Sequence, residues 1–169
     1  MNSKNEPLVS IIIVNYNGKA HLKKCLDSIK ENLYKEYEII LVDNNSTDGS
    51  VELVKKEFAN VKIIKLDKNY GFAKPNNIGA KHATGDFLYF LNNDTTIDKD
   101  SITNLVEVIQ KPKIGLCQSL LLKPDSNVDS SGDFFTTLGI AYSSKKKIKE
   151  IIPILSARGA AMMVRRNIF

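Results

Sequence analysis

The sequence predicts an α/β fold, a mostly parallel sheet flanked by helices, and two observations carry that prediction. Short apolar runs alternate with segments of helical period along most of the chain. Several of those runs also end in a polar cluster: Asn15-Tyr16-Asn17 after Val9 to Val14, Asp43 to Asp48 after Glu38 to Val42, and Asn92-Asn93-Asp94-Thr95 after Phe87 to Leu91. If the runs are parallel strands of one sheet, the clusters gather along its carboxyl edge, where open α/β folds build ligand sites.

Taken in order, the first strand is Val9 to Val14, and Leu22, Cys25, Leu26 and Ile29 then follow the spacing of a helix with one apolar stripe. The second strand, Glu38 to Val42, leads into a short helix from Ser50 to Phe58 that turns Val51, Val54 and Phe58 inward, with Ser46 or Thr47 as its N-cap. After a third strand, Val61 to Leu66, a helix opens near Pro75 and ends at Thr84-Gly85, where glycine permits a left-handed exit. The fourth strand, Phe87 to Leu91, precedes a helix marked by Ile102, Leu105, Val106 and Ile109, and a fifth strand spans Ile114 to Leu122. Right-handed crossovers join such an alternation into a parallel sheet. Beyond Leu122 the alternation fails: Lys123 to Ser144 reads as loops with short strands, and the apolar stretch Ala160 to Val164 fits no position in it.

A chain of 169 residues suits one domain, and a composition 43% hydrophobic and 25% charged excludes a disordered polymer. The net charge of +5 would suit a polyanion, a membrane surface or a phosphorylated ligand. Much of the excess lies in Lys145-Lys146-Lys147, Lys149 and Arg165-Arg166, which reads as solvated loop. No basic face interleaved with stacking aromatics is present, so no nucleic-acid partner is expected. Cys25 and Cys117 sit among apolar neighbours as buried free thiols, which implies a reducing, cytoplasmic compartment. Met1 to Pro7 has no apolar signal core, and no apolar run reaches the roughly 18–20 residues of a membrane span. Contact with a membrane would therefore be peripheral, at the inner face. His21 and His82 lack ligand partners at useful spacing and read as surface or packing residues, and Met162-Met163 reads as core.

The clusters carry specific chemistry. Asp43, at the end of a strand, can accept hydrogen bonds from a base or a ribose hydroxyl; Asp43 and Asp48 also suit a helix cap and turn. Asp94, beside the amides of Asn92 and Asn93, suits a divalent cation bridging a diphosphate, because Mg²⁺ takes few protein carboxylates and fills its shell with phosphate oxygens and water. Mn²⁺ would serve equally, and the same residues suit a turn. In Asn69 to Asn77, Gly71 lets backbone approach a ligand, a helix start presents free N–H groups, and Lys74 adds positive charge, so a phosphate is a natural guest. The segment is not a Walker loop, and no Gly-x-Gly-x-x-Gly follows the first strand.

Together, Val9 to Asn17, Val42 to Gly49, Asn69 to Ala73 with Asn76-Asn77, and Leu91 to Thr95 resemble the family 2 glycosyltransferases of GT-A fold, nearest their rhamnosyltransferase-like branch. The resemblance implies transfer of a sugar from a nucleotide-diphosphate donor, UDP- or dTDP-linked, to a saccharide or lipid-linked acceptor, with inversion at the anomeric carbon and a Mg²⁺ or Mn²⁺ cofactor. Polysaccharide or cell-surface glycan assembly is the implied setting. By the same resemblance Asp43 binds the base, Tyr16 lies beside the nucleoside, and Lys74, Asn76, Asn92 and Asn93 belong to the nucleotide site. Asp94 is the implied metal ligand, and Asn92 and Asn93 remove negative charge where the family carries an Asp-x-Asp signature.

In the family, the stretch resembling Ala157 to Arg166 is followed by an acidic segment that supplies the general base. That comparison places the base beyond Phe169 and makes residues 1–169 a nucleotide-sugar-binding domain from the N-terminal part of a longer, here C-terminally truncated, enzyme. The alternative is a non-catalytic nucleotide-sugar-binding module of the same fold.

Overall fold

The structure, a computed structural model, describes residues 6–137 and 140–169. Met1 to Asn5 of the polar lead, and Leu138-Gly139 in the loop-rich region, lie outside the described residues. The alternation appears as β1 (Val9–Asn15), α1 (Lys19–Lys30), β2 (Tyr37–Asp43), α2 (Ser50–Glu57), β3 (Val61–Lys65), α3 (Ala73–Lys81), β4 (Phe87–Asn92) and α4 (Ser101–Ile109). Short strands follow: β5 (Leu116–Gln118), β6 (Leu121–Leu122), β7 (Val128–Ser130), β8 (Asp133–Phe135) and β9 (Ala141–Ser143), then β10 (Ala161–Arg165).

The main sheet runs β3-β2-β1-β4-β10-β5, parallel from β3 to β4. Strand order reverses between β1 and β4, so a crevice opens at their carboxyl ends. In the register Asn15 faces Asp43 across β1 and β2, and Val14 faces Asn92 across β1 and β4. The polar clusters therefore do share one edge.

Burial on both faces of β1 fixes the layers. Ile11 and Ile13 pack with Leu22, Cys25, Leu26 and Ile29 of α1 and Ile102, Leu105, Val106 and Ile109 of α4. Ile12 points the other way, to Ile40, Val42 and Phe90 and to Ala80 of α3. Each such large apolar side chain contributes roughly 1.5–3 kcal/mol when fully buried. Gly79 lets α3 come close, since a Cβ there would stand 2.5 Å from Ile12 Cγ2.

Four expectations change. The single fifth strand, Ile114 to Leu122, is two strands: β5 stays in the main sheet while β6 leaves it to pair with β7. The unplaced stretch Ala160 to Val164 becomes β10, which enters antiparallel between β4 and β5 and buries Met163. Next, α3 opens at Ala73 and passes His82 in right-handed geometry, and Gly85 is not left-handed. Gly85 is needed for close approach instead, because a Cβ would meet Leu8 O at 2.6 Å and Ser10 N at 2.8 Å. Finally, Arg165 is no solvated loop: its guanidinium donates to Ile114 O at 2.8 Å and Ile109 O at 2.5 Å, whereas Lys145, Lys146, Lys147 and Lys149 are exposed as expected.

The start of α2 also departs from expectation. Gly49, at φ +78°, is the N-cap residue, and neither Ser46 nor Thr47 caps the helix. Asp48, one residue before it, accepts the Ser50 N–H at 3.0 Å and the Lys19 N–H at 2.8 Å, which ties α2 to α1. Burial alone would raise the Asp48 pKa, but hydrogen bonds from Ser50 and Lys19 outweigh it and hold the carboxyl below its usual range. A lowered folded-state pKa stabilises above the unfolded value, near 3.9, and the stabilisation disappears as pH falls through the folded value. Asp48→Ala should therefore lower stability at neutral pH by about 0.5–2 kcal/mol. Urea denaturation across pH 2–7 should show the wild-type advantage vanishing at the acid end.

Candidate functional site

Asn15 is the centre of the carboxyl edge. Its side chain is buried, and its Nδ2 donates toward Ser50 Oγ at 2.8 Å, Ser46 Oγ at 3.0 Å and, more weakly, Asp43 Oδ1 at 3.4 Å. Its Oδ1 accepts from Asn93 Nδ2 at 2.9 Å. One amide thus ties the end of β2 to the end of β4.

Asp43 is 0% exposed, not at an open mouth as its position in sequence suggests. Besides Asn15 it accepts the Ser46 N–H at 3.3 Å. Both contacts are long, so much of the carboxylate's acceptor capacity is unspent. Tyr16, by contrast, is 51% exposed at the rim. Asn17, at φ +50°, accepts the Thr47 N–H at 2.8 Å and gives its own N–H to Ser46 Oγ, so the β1 and β2 loops are stitched together.

A second amide organises the Asn69 loop. Asn44 Nδ2 donates to Asn69 Oδ1 at 2.7 Å and to Gly71 O at 2.9 Å, while its Oδ1 accepts the Tyr70 N–H at 2.9 Å. Gly71 has φ +74°, a left-handed conformation that glycine adopts at little cost. Lys74 is exposed with its Nζ 3.4 Å from the Tyr70 ring centroid, so its charge rests on an aromatic face. Asn76 is buried and its Nδ2 donates to Phe72 O at 2.9 Å, which commits that amide to the first turn of α3.

Past β4, Asn92 and Asn93 are half-buried and Asp94 is exposed. The Cys25 thiol lies beneath them, 3.6 Å from Asn92 O; burial first, then the Asp94 charge, pushes it up to about 12, so it stays protonated at neutral pH. The loop before β10 closes the far wall, with Ala160 O accepting the Asn92 N–H at 3.0 Å and Gly159 lying against the Phe72 ring. Asp129 and Asp133 share the Arg158 guanidinium at 3.5 and 3.6 Å.

The structure thus brings Asp43, Asn93 and Asp94 to one edge with Tyr16 and Asn92, while Lys74 and Asn76 stand on α3 engaged with other partners. Asn15 and Asn44 are the organising residues that sequence reasoning passed over. Their only signal was position, each falling at or just past a strand end inside a polar cluster. Among the described residues, no three His, Cys, Asp or Glu side chains cluster as a metal site, and neither histidine joins one. No helix among them is long and apolar enough to cross a membrane.

A mostly parallel sheet with its polar groups gathered at a switch point defines the doubly wound α/β class, which places its ligand sites there. The profile of "Glycosyl transferase family 2" matches residues 10–169, and the chain belongs to that family. It is 30% identical to the O-antigen biosynthesis protein RfbC of Myxococcus xanthus over 98% of this chain and 14% of that protein. It is 32% identical to the poly(ribitol-phosphate) beta-N-acetylglucosaminyltransferase TarS of Staphylococcus aureus over 60% of this chain and 19% of that protein.

Among solved structures, TarS 1–349 from S. aureus in complex with UDP-GlcNAc superposes with TM-score 0.57 at 30% identity, covering 60% of this chain and 30% of that one. The mannosyltransferase PcManGT from Pyrobaculum calidifontis, in complex with GDP-Man and Mn²⁺, gives TM-score 0.65 at 25% identity, covering 72% and 37%. The chain spans less than half the length of these relatives. The fold is that of GT-A glycosyltransferases.

Gly18 isolates the central amide pair for testing. A Cβ there would stand 2.1 Å from Asn93 Nδ2 and 2.5 Å from Asn15 Oδ1, and its φ of −99° suits any residue. Gly18→Ala should separate Asn15 from Asn93 and lower stability by about 1–3 kcal/mol, the penalty of an unsatisfied buried polar group. Chemical denaturation with unchanged m-value checks it.

Proposed function

We propose that residues 1–169 hold the nucleotide-diphosphate part of a sugar donor along the carboxyl edge, within an enzyme that transfers the sugar with inversion to a saccharide or lipid-linked hydroxyl in cell-surface glycan assembly. The observation that carries this reading is the continuous row from Asp43 through Asn15 to Asn93, with Asp94 next in sequence, at the switch point of the sheet. In it, Asp43 accepts from the nucleobase, which is UDP- or dTDP-borne, and Tyr16 lies against the nucleoside. Asn92 and Asn93 meet the ribose or diphosphate. The N-terminus of α3 and Lys74 add positive potential for phosphate, and Asn76 shapes that turn rather than touching the ligand.

The residues fit a divalent cation, Mg²⁺ or Mn²⁺. Asp94 is an exposed carboxylate beside two amides, and such an ion commonly takes one or two protein carboxylates with diphosphate oxygens and water. Asp94 would hold it, and when bound it neutralises charge on the departing diphosphate. Displacement with inversion also needs a base for the acceptor hydroxyl. We place that base outside residues 1–169, since Arg158 already engages Asp129 and Asp133. The setting is cytoplasmic, with any membrane contact peripheral.

A second reading follows from the complete burial of Asp43: that its carboxylate only holds the turn before α2. Titration calorimetry with UDP and dTDP, with and without Mn²⁺, separates the two. Asp94→Ala should abolish the metal dependence of nucleotide affinity. Asp43→Ala should weaken UDP by about 1.5–3 kcal/mol, the value of a hydrogen bond to a charged group, and leave pyrophosphate binding nearly unchanged. An Asp43→Ala protein that binds UDP normally but melts earlier assigns Asp43 to the turn. Equal metal dependence in Asp94→Ala overturns the metal assignment.

A further inference from the structure

The strands after β7 carry a surface that the nucleotide site does not use. β8 and β9 pair antiparallel, with Phe134 opposite Tyr142 and Asp133 opposite Ser143. Asp133 turns toward the body of the protein, where its carboxylate lies 3.6 Å from Arg158 Nε, and the Arg158 backbone N–H donates to Gln118 Oε1 of β5. Side chains alternate across a strand, so Phe134 and Tyr142 face the opposite way, outward, with ring centroids 5.9 Å apart.

The residues that follow form a closed, strongly basic loop. The Ser144 N–H donates to Gly132 O at 3.0 Å and the Leu155 N–H to Asp133 O at 3.1 Å, so both ends of residues 145–154 are pinned at the start of β8. Lys145, Lys146, Lys147 and Lys149 are exposed on it, and Glu150 is the one acidic residue between Phe134 and Ser156. Apolar side chains stand beside them. Phe135, Ile140, Tyr142, Ile151 and Leu155 are each 49–62% exposed, five of the twelve large apolar residues exposed among the described residues. β8 is three residues long, roughly 10 Å at 3.3 Å per residue, so the lysine loop at one end and Phe135 and Ile140 at the other belong to one patch.

Lysines and exposed apolar groups together select the partner. A soluble polyanion engages the lysines and leaves the apolar groups in water, and a second copy of the chain sets lysine against lysine. An anionic bilayer satisfies both, because lysines meet lipid headgroups while tyrosine and aliphatic side chains sink to the boundary between headgroups and acyl chains. We propose that β8, β9 and the loop 145–154 dock the protein on an anionic lipid bilayer, with Tyr142 and Ile151 entering the interface and Lys145, Lys146, Lys147 and Lys149 meeting headgroup phosphates. This surface shares no residue with the nucleotide site, so vesicle binding and UDP binding can fail independently.

Co-sedimentation with vesicles of mixed phosphatidylglycerol and phosphatidylcholine, against vesicles of phosphatidylcholine alone, is the test. The chain should bind the mixed vesicles, leave the neutral ones, and lose affinity as salt is raised. Changing Lys145→Gln, Lys146→Gln and Lys147→Gln together should weaken binding about a hundredfold, at roughly fivefold per lysine near an anionic surface. The same charge change at the exposed Lys30, Lys55 and Lys56 of α1 and α2 should weaken it less than about fivefold. Ile151→Ser and Tyr142→Ser should each weaken binding about three- to tenfold by removing apolar area from the interface. Leu33→Ser, at an exposed apolar position elsewhere, should leave binding unchanged. The lysine and Ile151 changes lie in the exposed loop and should not lower the melting temperature.

No binding to either vesicle, equal retention on both, or an equal loss from the two lysine triples overturns the membrane surface. Normal vesicle binding by both Ile151→Ser and Tyr142→Ser, with soluble polyphosphate competing, assigns the patch to a polyanion and overturns the bilayer. UDP titration reads the donor site separately: its failure leaves the membrane surface standing, and loss of vesicle binding leaves the donor reading standing.

Discussion

The geometry of the carboxyl edge depends on one buried amide. Asn15 donates toward Ser46, Ser50 and Asp43 and accepts from Asn93, so groups separated by as many as 78 positions in sequence are fixed by a single side chain. A buried amide with its donors and acceptor matched is rigid, and one left unmatched is costly. Only a residue with donor and acceptor arms of this size serves all these partners at once. That explains why Gly18, next in the loop, must leave room for it.

Around that amide the two halves of the edge differ in construction. On the β2 side the wall is made of loops stitched by Asn17, Asn44 and Asp48, each accepting or donating to backbone. On the β4 side the wall depends on β10, whose antiparallel entry presents Ala160 O to Asn92 and brings Arg158 toward Asp129 and Asp133. A parallel sheet alone would have ended at β4 and left the Asp94 side open. The inserted strand walls that side instead, with Ala160 and Ala161 lining the cavity beside Asp94.

The alternation of β1 to α4 was legible because each element carries its own period: buried Leu22, Cys25, Leu26 and Ile29 form one helical stripe, and Ile11, Ile12 and Ile13 reach opposite faces of a doubly covered strand. What sequence reasoning misplaced is long-range. Ala160 to Val164 has the composition of a strand, but its partners Leu88 to Leu91 lie some seventy positions earlier, and nothing local announces that pairing. Gly85 looked like a helix end because glycine usually marks one; here the reason for glycine is the backbone of Leu8 and Ser10, which meets it only after folding. The same holds at the site. Asp43, Asn93 and Asp94 were visible as residues of the right type at strand ends, whereas Asn15 and Asn44 owe their importance to partners in other loops.

On the proposed reading, the carboxyl edge receives a nucleoside diphosphate with its metal. A crystal structure of the chain grown with UDP and Mn²⁺ tests it most directly. The uracil ring is expected on the Asp43 carboxylate and the ion on Asp94 and the diphosphate, with the Asn15 to Asn93 hydrogen bond retained. A nucleotide bound away from this edge, or an ion held by residues other than Asp94, would contradict it.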